Sequence, residues 1–194
     1  MNFLAHIYLS GNNEPLMVGN FIGDFVKGNQ LNDFESEITR GVNLHRAIDE
    51  YTDQHPVVSK SKDKLREKYR HYSGVIVDIY YDHFLAKNWS DYHKTDLLTF
   101  TKQFYNAINN YHNILPKGAK YMLPYMMENN WLYNYSKVEG ISRALGGMSR
   151  RTKFDSKMDE AVVDLRAHYD EFEKEFKEFF VDLQSFVAQW LSAN

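Results

Sequence analysis

The sequence predicts an all-α protein built as a single-domain helical bundle, and three observations carry that prediction. Apolar residues recur in steps of three and four along most of the chain. The alternation of Val, Ile and Thr with polar residues that marks half-buried strands is absent. Only four prolines interrupt the 194 residues, and Pro15, Pro56, Pro116 and Pro124 each fall where a loop or helix boundary is plausible.

Taken in order, helices are expected over about 14–27, 36–54, 58–70, 73–88, 95–112, 120–134 and 137–148, with "LPKG" at 115–118 and "ALGGMS" at 144–149 as breakers. The clearest element is the C-terminal one. Phe154, Met158, Val162, Leu165, Tyr169, Phe172, Phe176, Phe179, Leu183, Phe186 and Trp190 follow the helical period throughout. That stripe predicts one long amphipathic helix, or two joined by a kink, roughly 55 Å from end to end. Its aromatic residues read as core.

Composition narrows the function classes. A 43% hydrophobic and 25% charged chain of this length folds into one ordinary domain, with no repeat or linker to divide it. A net charge of −3 is too near neutral for bulk nucleic-acid binding. With no cysteine, disulfides, thiolate metal sites and Cys nucleophiles are excluded. The opening "MNFLAHIYLS" lacks the basic and long apolar regions of a signal peptide, and no run of about 18 apolar residues predicts a membrane span. A soluble, cytoplasmic protein is expected. The glycine-rich phosphate loops and the serine-hydrolase elbow are also missing.

The chemistry concentrates in polar residues set among apolar ones. In "GVIVDIYYDHFLAKNW", 74–89, apolar side chains surround the helix on nearly every side, so the helix is expected to be buried. Asp78 and Asp82 nevertheless stack four residues apart, with His83 alongside. Buried carboxylates at that spacing repel each other and need a cation between or beside them. Arginines such as Arg46, Arg150 and Arg151 would serve, but a divalent metal satisfies both acids at once and accounts for the nearby histidines. In "NLHRAIDEYTDQHP", 43–56, His45 and Asp49 run along the edge of the Leu44, Ile48, Tyr51 stripe at i and i+4. Asp53 and His55 are weaker candidates, near a helix end and before Pro56. Asp24 in "GNFIGDFVKGN" and His6 in "NFLAHIYL" complete the set of polar islands. Imidazole with carboxylate suits Mn²⁺, Fe or Zn²⁺ better than Ca²⁺.

At these residues the chain resembles the bacterial acyl carrier protein phosphodiesterases, also called holo-acyl-carrier-protein hydrolases. The likeness lies in "MNFLAH" at the N-terminus, "GNFIGDFVKG" at 19–28, "HRAIDEYTDQHP" at 45–56 and "DIYYDHFLAKNW" at 78–89, and more weakly in "GMSRR" at 147–151. The resemblance implies an HD-domain-like helical fold with a His and Asp metal site, Mn²⁺ as the preferred metal, and removal of 4′-phosphopantetheine from holo-acyl carrier protein. It implies Asp24, His45, Asp78 and Asp82 as the residues closest to the metal. His83 or His6 is then a further ligand, or the acid that protonates the departing serine alkoxide, and Asp49 orients His45 from behind. The adjacent pair here is Asp82-His83, the reverse of the His-Asp of HD proteins, so ligand order does not carry over. On this reading Asp82→Asn lowers hydrolysis while the metal-free protein keeps or gains stability.

Charge distribution supplies the partner expectation. Residues 60–71, "KSKDKLREKYRH", hold six Lys or Arg against Asp63 and Glu67, whereas 155–182 are strongly acidic. An enzyme acting on an acidic carrier needs a positive surface near its site. Lys60, Lys62, Lys64 and Arg66 are therefore expected to contact it, with Arg150 and Arg151 as a second patch. The competing readings are a related metal phosphohydrolase acting on a nucleotide or small phosphodiester, and a non-catalytic helical module whose buried acids pair with arginines.

Overall fold

The computed structural model describes residues 1–194 and contains helices and no strands. Eleven α-helices follow in order: α1 Phe3–Leu9, α2 Glu14–Ile22, α3 Ser36–Gln54, α4 Pro56–Tyr69, α5 Ser73–Lys87, α6 Leu97–Asn110, α7 Lys117–Glu128, α8 Trp131–Asn134, α9 Val138–Ser149, α10 Ala161–Ala167 and α11 Tyr169–Ala193. Local chemistry sets several starts. Asn13 accepts from Leu16 N at 3.1 Å to open α2, and Asp96 accepts from Thr99 N at 3.0 Å to open α6. His55 opens α4 by accepting from Val57 N at 3.3 Å, with Pro56 at the first helical position.

The closest packing is between α2 and α3. A Cβ on Gly19 would stand 2.0 Å from the Ile38 carbonyl oxygen, and one on Gly41 would stand 2.2 Å from that of Leu16. Only glycine at both positions lets the two backbones touch, and this crossing brings Asn20 and His45 together. Helix α5 is buried on almost every side, as its unbroken apolar run predicts. Along α11, Phe172, Phe176, Phe179, Phe180, Leu183 and Val187 are buried against α3, α4 and α5. Fifty buried apolar residues drawn from nearly every helix form one contiguous core.

Several expectations are corrected. The "ALGGMS" segment at 144–149 is no breaker but the last turns of α9, and the helix expected over 120–134 is divided between α7 and α8. The helix foreseen over 14–27 stops at Ile22 and continues as short 3₁₀ turns at Gly23–Phe25 and Gly28–Asp33. The C-terminal stripe is divided: α11 covers 25 residues, about 37 Å, while Phe154 lies outside any helix and is 75% exposed. Pro124 sits inside α7 rather than at its edge. Its ring is on the solvent face, where water can take over the carbonyl that has lost its helical donor.

Candidate metal centre

The site forms where α1, the end of α2 and the middle of α3 meet. His6 comes from α1 and is almost fully buried; His45 and Asp49 come from successive turns of α3; Asp24 comes from the 3₁₀ turn after α2. Gly23 makes room for this arrangement, because a Cβ there would lie 2.2 Å from His45 Cγ. The imidazoles of His6 and His45 stack with centroids 4.0 Å apart and planes inclined by 19°.

One residue ties both rings from behind. His6 Nδ1 lies 2.8 Å from Asn20 Oδ1, and His45 Nδ1 lies 2.8 Å from the Asn20 carbonyl oxygen. The Asn20 amide is oriented by its own donations to the His6 carbonyl at 2.8 Å and Ser10 Oγ at 2.9 Å. Both partners of the rings are therefore acceptors, which assigns a proton to each Nδ1 and turns each Nε2 toward the site. There His6 Nε2 stands 3.2 Å from Asp49 Oδ1, and His45 Nε2 stands 3.2 Å from Asp49 Oδ2 and 3.3 Å from Asp24 Oδ1. His6 Nε2 is buried and makes no hydrogen bond. A lone pair facing a carboxylate oxygen in this way calls for a cation between them. His6, His45 and Asp49 each offer a ligand atom, all within 4.8 Å of one another, so the residues present fit a divalent ion.

The electrostatics agree. Burial, followed by the charge on His45, holds His6 below the ordinary histidine value. Burial also opposes charge on His45, but the hydrogen bonds and charges of Asp24 and Asp49 outweigh it and raise the ring to about 9. The Asp49 carboxyl is pulled well below the usual range against the effect of burial, chiefly by His45 and His6. The amino group of Met1 lies 3.1 Å from Asp78 Oδ1 and 3.6 Å from Asp49 Oδ1. Because the folded pKa of His45 exceeds the ordinary 6.5, its contribution to stability is complete below pH 6.5 and lost as pH rises through 9. Metal-free protein is expected to melt at progressively lower temperature over that window. His45→Gln should flatten that part of the profile, and an unchanged slope in the variant would assign it to another group.

The structure brings His6, Asp24, His45 and Asp49 together, and Asp78 borders them through the Met1 amino group. It places the others elsewhere. Asp82 is fully buried and caps α1 from the side, accepting from Leu4 N at 2.7 Å and from Asn2 N and Ala5 N at 3.3 Å each. It therefore meets its cationic demand with backbone donors and not beside the histidines. His83, one position further round α5, points the other way: its Nδ1 donates to the Tyr135 carbonyl and its Nε2 accepts from Tyr169 Oη, both at 2.7 Å. Neither ring nitrogen is left for a ligand or an acid role. Asp49 does not orient His45 from behind, since the Asn20 carbonyl holds that nitrogen. Asp53 pairs with Lys62 at 2.7 Å, and His55 caps α4.

The basic helix is also partly consumed. Lys64 is paired with Glu175 and lies 3.6 Å from Glu171, tying α4 to α11, so it is a structural tether and not a docking group. Lys60, Arg66, Arg150 and Arg151 are exposed. The residue missed by sequence reasoning is Asn20. Its only signal was a lone amide in the apolar "LMVGNFIG" run.

Fold and site together define an all-helical protein with a histidine–aspartate centre suited to a divalent cation. The family model described as acyl carrier protein phosphodiesterase matches residues 1–183. An acyl carrier protein phosphodiesterase of Photorhabdus laumondii is 30% identical over 181 residues, covering 93% of this chain and 91% of its own. One of Escherichia coli O139:H28 is 32% identical over 188 residues, covering 93% and 94%. The chain belongs to the acyl carrier protein phosphodiesterase family. No solved structure matches it. No helix is long and apolar enough to cross a membrane.

Proposed function

We propose that the chain is a cytoplasmic, metal-dependent phosphodiesterase that hydrolyses 4′-phosphopantetheine from the serine of holo-acyl carrier protein, leaving the apo form. The observation that carries the metal is the buried lone pair of His6 Nε2 facing Asp49, with both imidazoles fixed from behind by Asn20. The family membership carries the substrate. His6, His45 and Asp49 would hold the ion, Mn²⁺ in this reading, with Asp24 at the mouth and Asp78 behind Asp49. When bound, such an ion supplies a water acidified toward neutrality and polarisation of a phosphoryl oxygen.

The chain's own residues do the rest. Asn20 keeps both histidines in the tautomer that points Nε2 at the site. Burial of His6 and His45 excludes water from the far side of the rings. The Asp24 side chain is 66% exposed, the most open of the group, and its hydrogen bond with His45 holds its carboxyl below the usual range, so it meets bulk water as a carboxylate at the mouth of the site.

The deciding experiment incubates purified protein and Mn²⁺ with holo-acyl carrier protein and follows intact mass. Conversion to the apo form is expected, abolished by EDTA and restored by Mn²⁺. Metal should raise the melting temperature, because it binds the native state. Full activity in protein shown metal-free by elemental analysis would overturn the metal. Hydrolysis of small diesters with no action on the carrier would overturn the substrate.

A further inference from the structure

One turn along α3 from Asp49, the surface opens into a second cleft of about 500 Å³, lined by Asp53, Lys62, Arg66, Arg70, His71 and residues 73–74. No apolar side chain lines it. Two helices lead from the metal centre to this cleft. Asp49 and Asp53 are neighbours at i and i+4 on α3, and Gly74 and Asp78 are neighbours at i and i+4 on α5. The cleft therefore begins one helical turn along α3 from Asp49 and one turn along α5 from Asp78.

Its charge is unbalanced. Asp53 is neutralised by Lys62 at 2.7 Å. Arg66 has only an exposed contact with Asp63 at 3.4 Å. Arg70 takes part in no salt bridge; its backbone is also the most unusual in the chain, at φ 52 and ψ −123, a region that only glycine enters without cost. The backbone is held by its own bonds, the Arg70 N–H donating to the Arg66 carbonyl and the Arg70 carbonyl accepting from Ser73 Oγ at 2.8 Å, while the guanidinium makes no hydrogen bond within the protein. A strained arginine with an unpaired guanidinium, set at the rim of a polar cleft beside a reactive centre, is the arrangement of a ligand site.

We propose that this cleft receives an acidic side chain of the carrier protein next to the modified serine, with Arg70 as its principal partner and Arg66 as the second. The proposal rests on the carrier being the substrate. It moves the docking contact away from Lys62 and Lys64, whose ammonium groups are already engaged, to the two arginines that remain open. Arg70 is a positioning residue: it orients the carrier while the chemistry stays at the histidines.

Two variants test it against holo-acyl carrier protein and bis(p-nitrophenyl) phosphate. Arg70→Glu should raise KM for the carrier roughly tenfold at low ionic strength with kcat little changed, and the effect should fade with salt. Hydrolysis of the small diester should be unaffected. Arg70→Gly removes the guanidinium and relieves the backbone, so it should raise KM while raising the melting temperature by roughly 3 °C. A residue with only a structural role would lose stability instead. Unchanged KM in both variants, or a raised KM only in Arg150→Glu with Arg151→Glu, would overturn the cleft while leaving the activity standing. A wild type that binds holo-carrier in an Arg70-dependent way without converting it would overturn the activity and uphold the cleft. A wild type that neither binds nor converts it would overturn both.

Discussion

Asp49→Ala is expected to abolish Mn²⁺ binding and to lower turnover of holo-acyl carrier protein on the order of 10³-fold. Asp49 alone among the carboxylates approaches both imidazole Nε2 atoms, at 3.2 Å each. Without it, the two rings share no anionic partner: Asp24 reaches only His45. A catalytic metal contributes several kcal/mol to stabilising the transition state, and each 1.4 kcal/mol is tenfold in rate, which sets the size of the loss. The fold should survive, because Asp49 is a half-exposed residue at the margin of α3 and its neighbours Leu44 and Ile48 keep the core contacts. Calorimetric titration with Mn²⁺ and intact-mass turnover check the two parts separately. A loss of only about 10- to 100-fold with metal binding retained would instead place Asp49 behind a ligand, as a supporting group.

The fold was largely legible because helical periodicity is a local signal. The α3 and α5 segments, and the aromatic stripe of α11, could be read from spacing alone. What could not be read were features set by distant partners. Gly23 is needed because the His45 ring packs where its Cβ would be, and nothing near residue 23 announces a histidine 22 positions later. The same limit divided the site. His6, Asp24, His45 and Asp49 were visible as polar residues in apolar faces, and the structure brings these four together. Asp82 and His83 gave the same signal for a different reason. A buried carboxylate and a backbone N–H need each other as much as a carboxylate and a metal do, and sequence cannot distinguish the two partners. Basic residues posed the converse problem: Lys64 and Arg66 look equivalent in "KDKLREK", yet only Lys64 meets α11.

The role of Asp82 leads to the largest expected effect on stability, opposite in sign to the expectation drawn from charge repulsion. Asp82→Asn should destabilise the metal-free protein. The amide keeps one acceptor oxygen but turns an NH₂ toward backbone N–H groups of α1, where the carboxyl now accepts from Asn2, Leu4 and Ala5. At 1–3 kcal/mol for each buried donor left unsatisfied, the loss at low pH is about 3 kcal/mol, or roughly 6–12 °C in a chain of this size, and it shrinks as the buried carboxyl ionises. The pH dependence has a definite sign. Burial, only partly offset by the Leu4 and Ala5 N–H groups and the Met1 charge, pushes the carboxyl from 3.8 up to about 7. A raised folded pKa means that the stabilisation is complete below pH 3.8 and is lost as pH rises through 7. The gap between wild type and Asp82→Asn should therefore be wider at pH 5 than at pH 8, as thermal melts of chelated protein would record. Turnover by the folded fraction should hold near the wild-type level, since Asp82 faces the α1 backbone and not the histidines. A variant that melts as the wild type does, yet neither binds Mn²⁺ nor turns over the carrier, would return Asp82 to the metal.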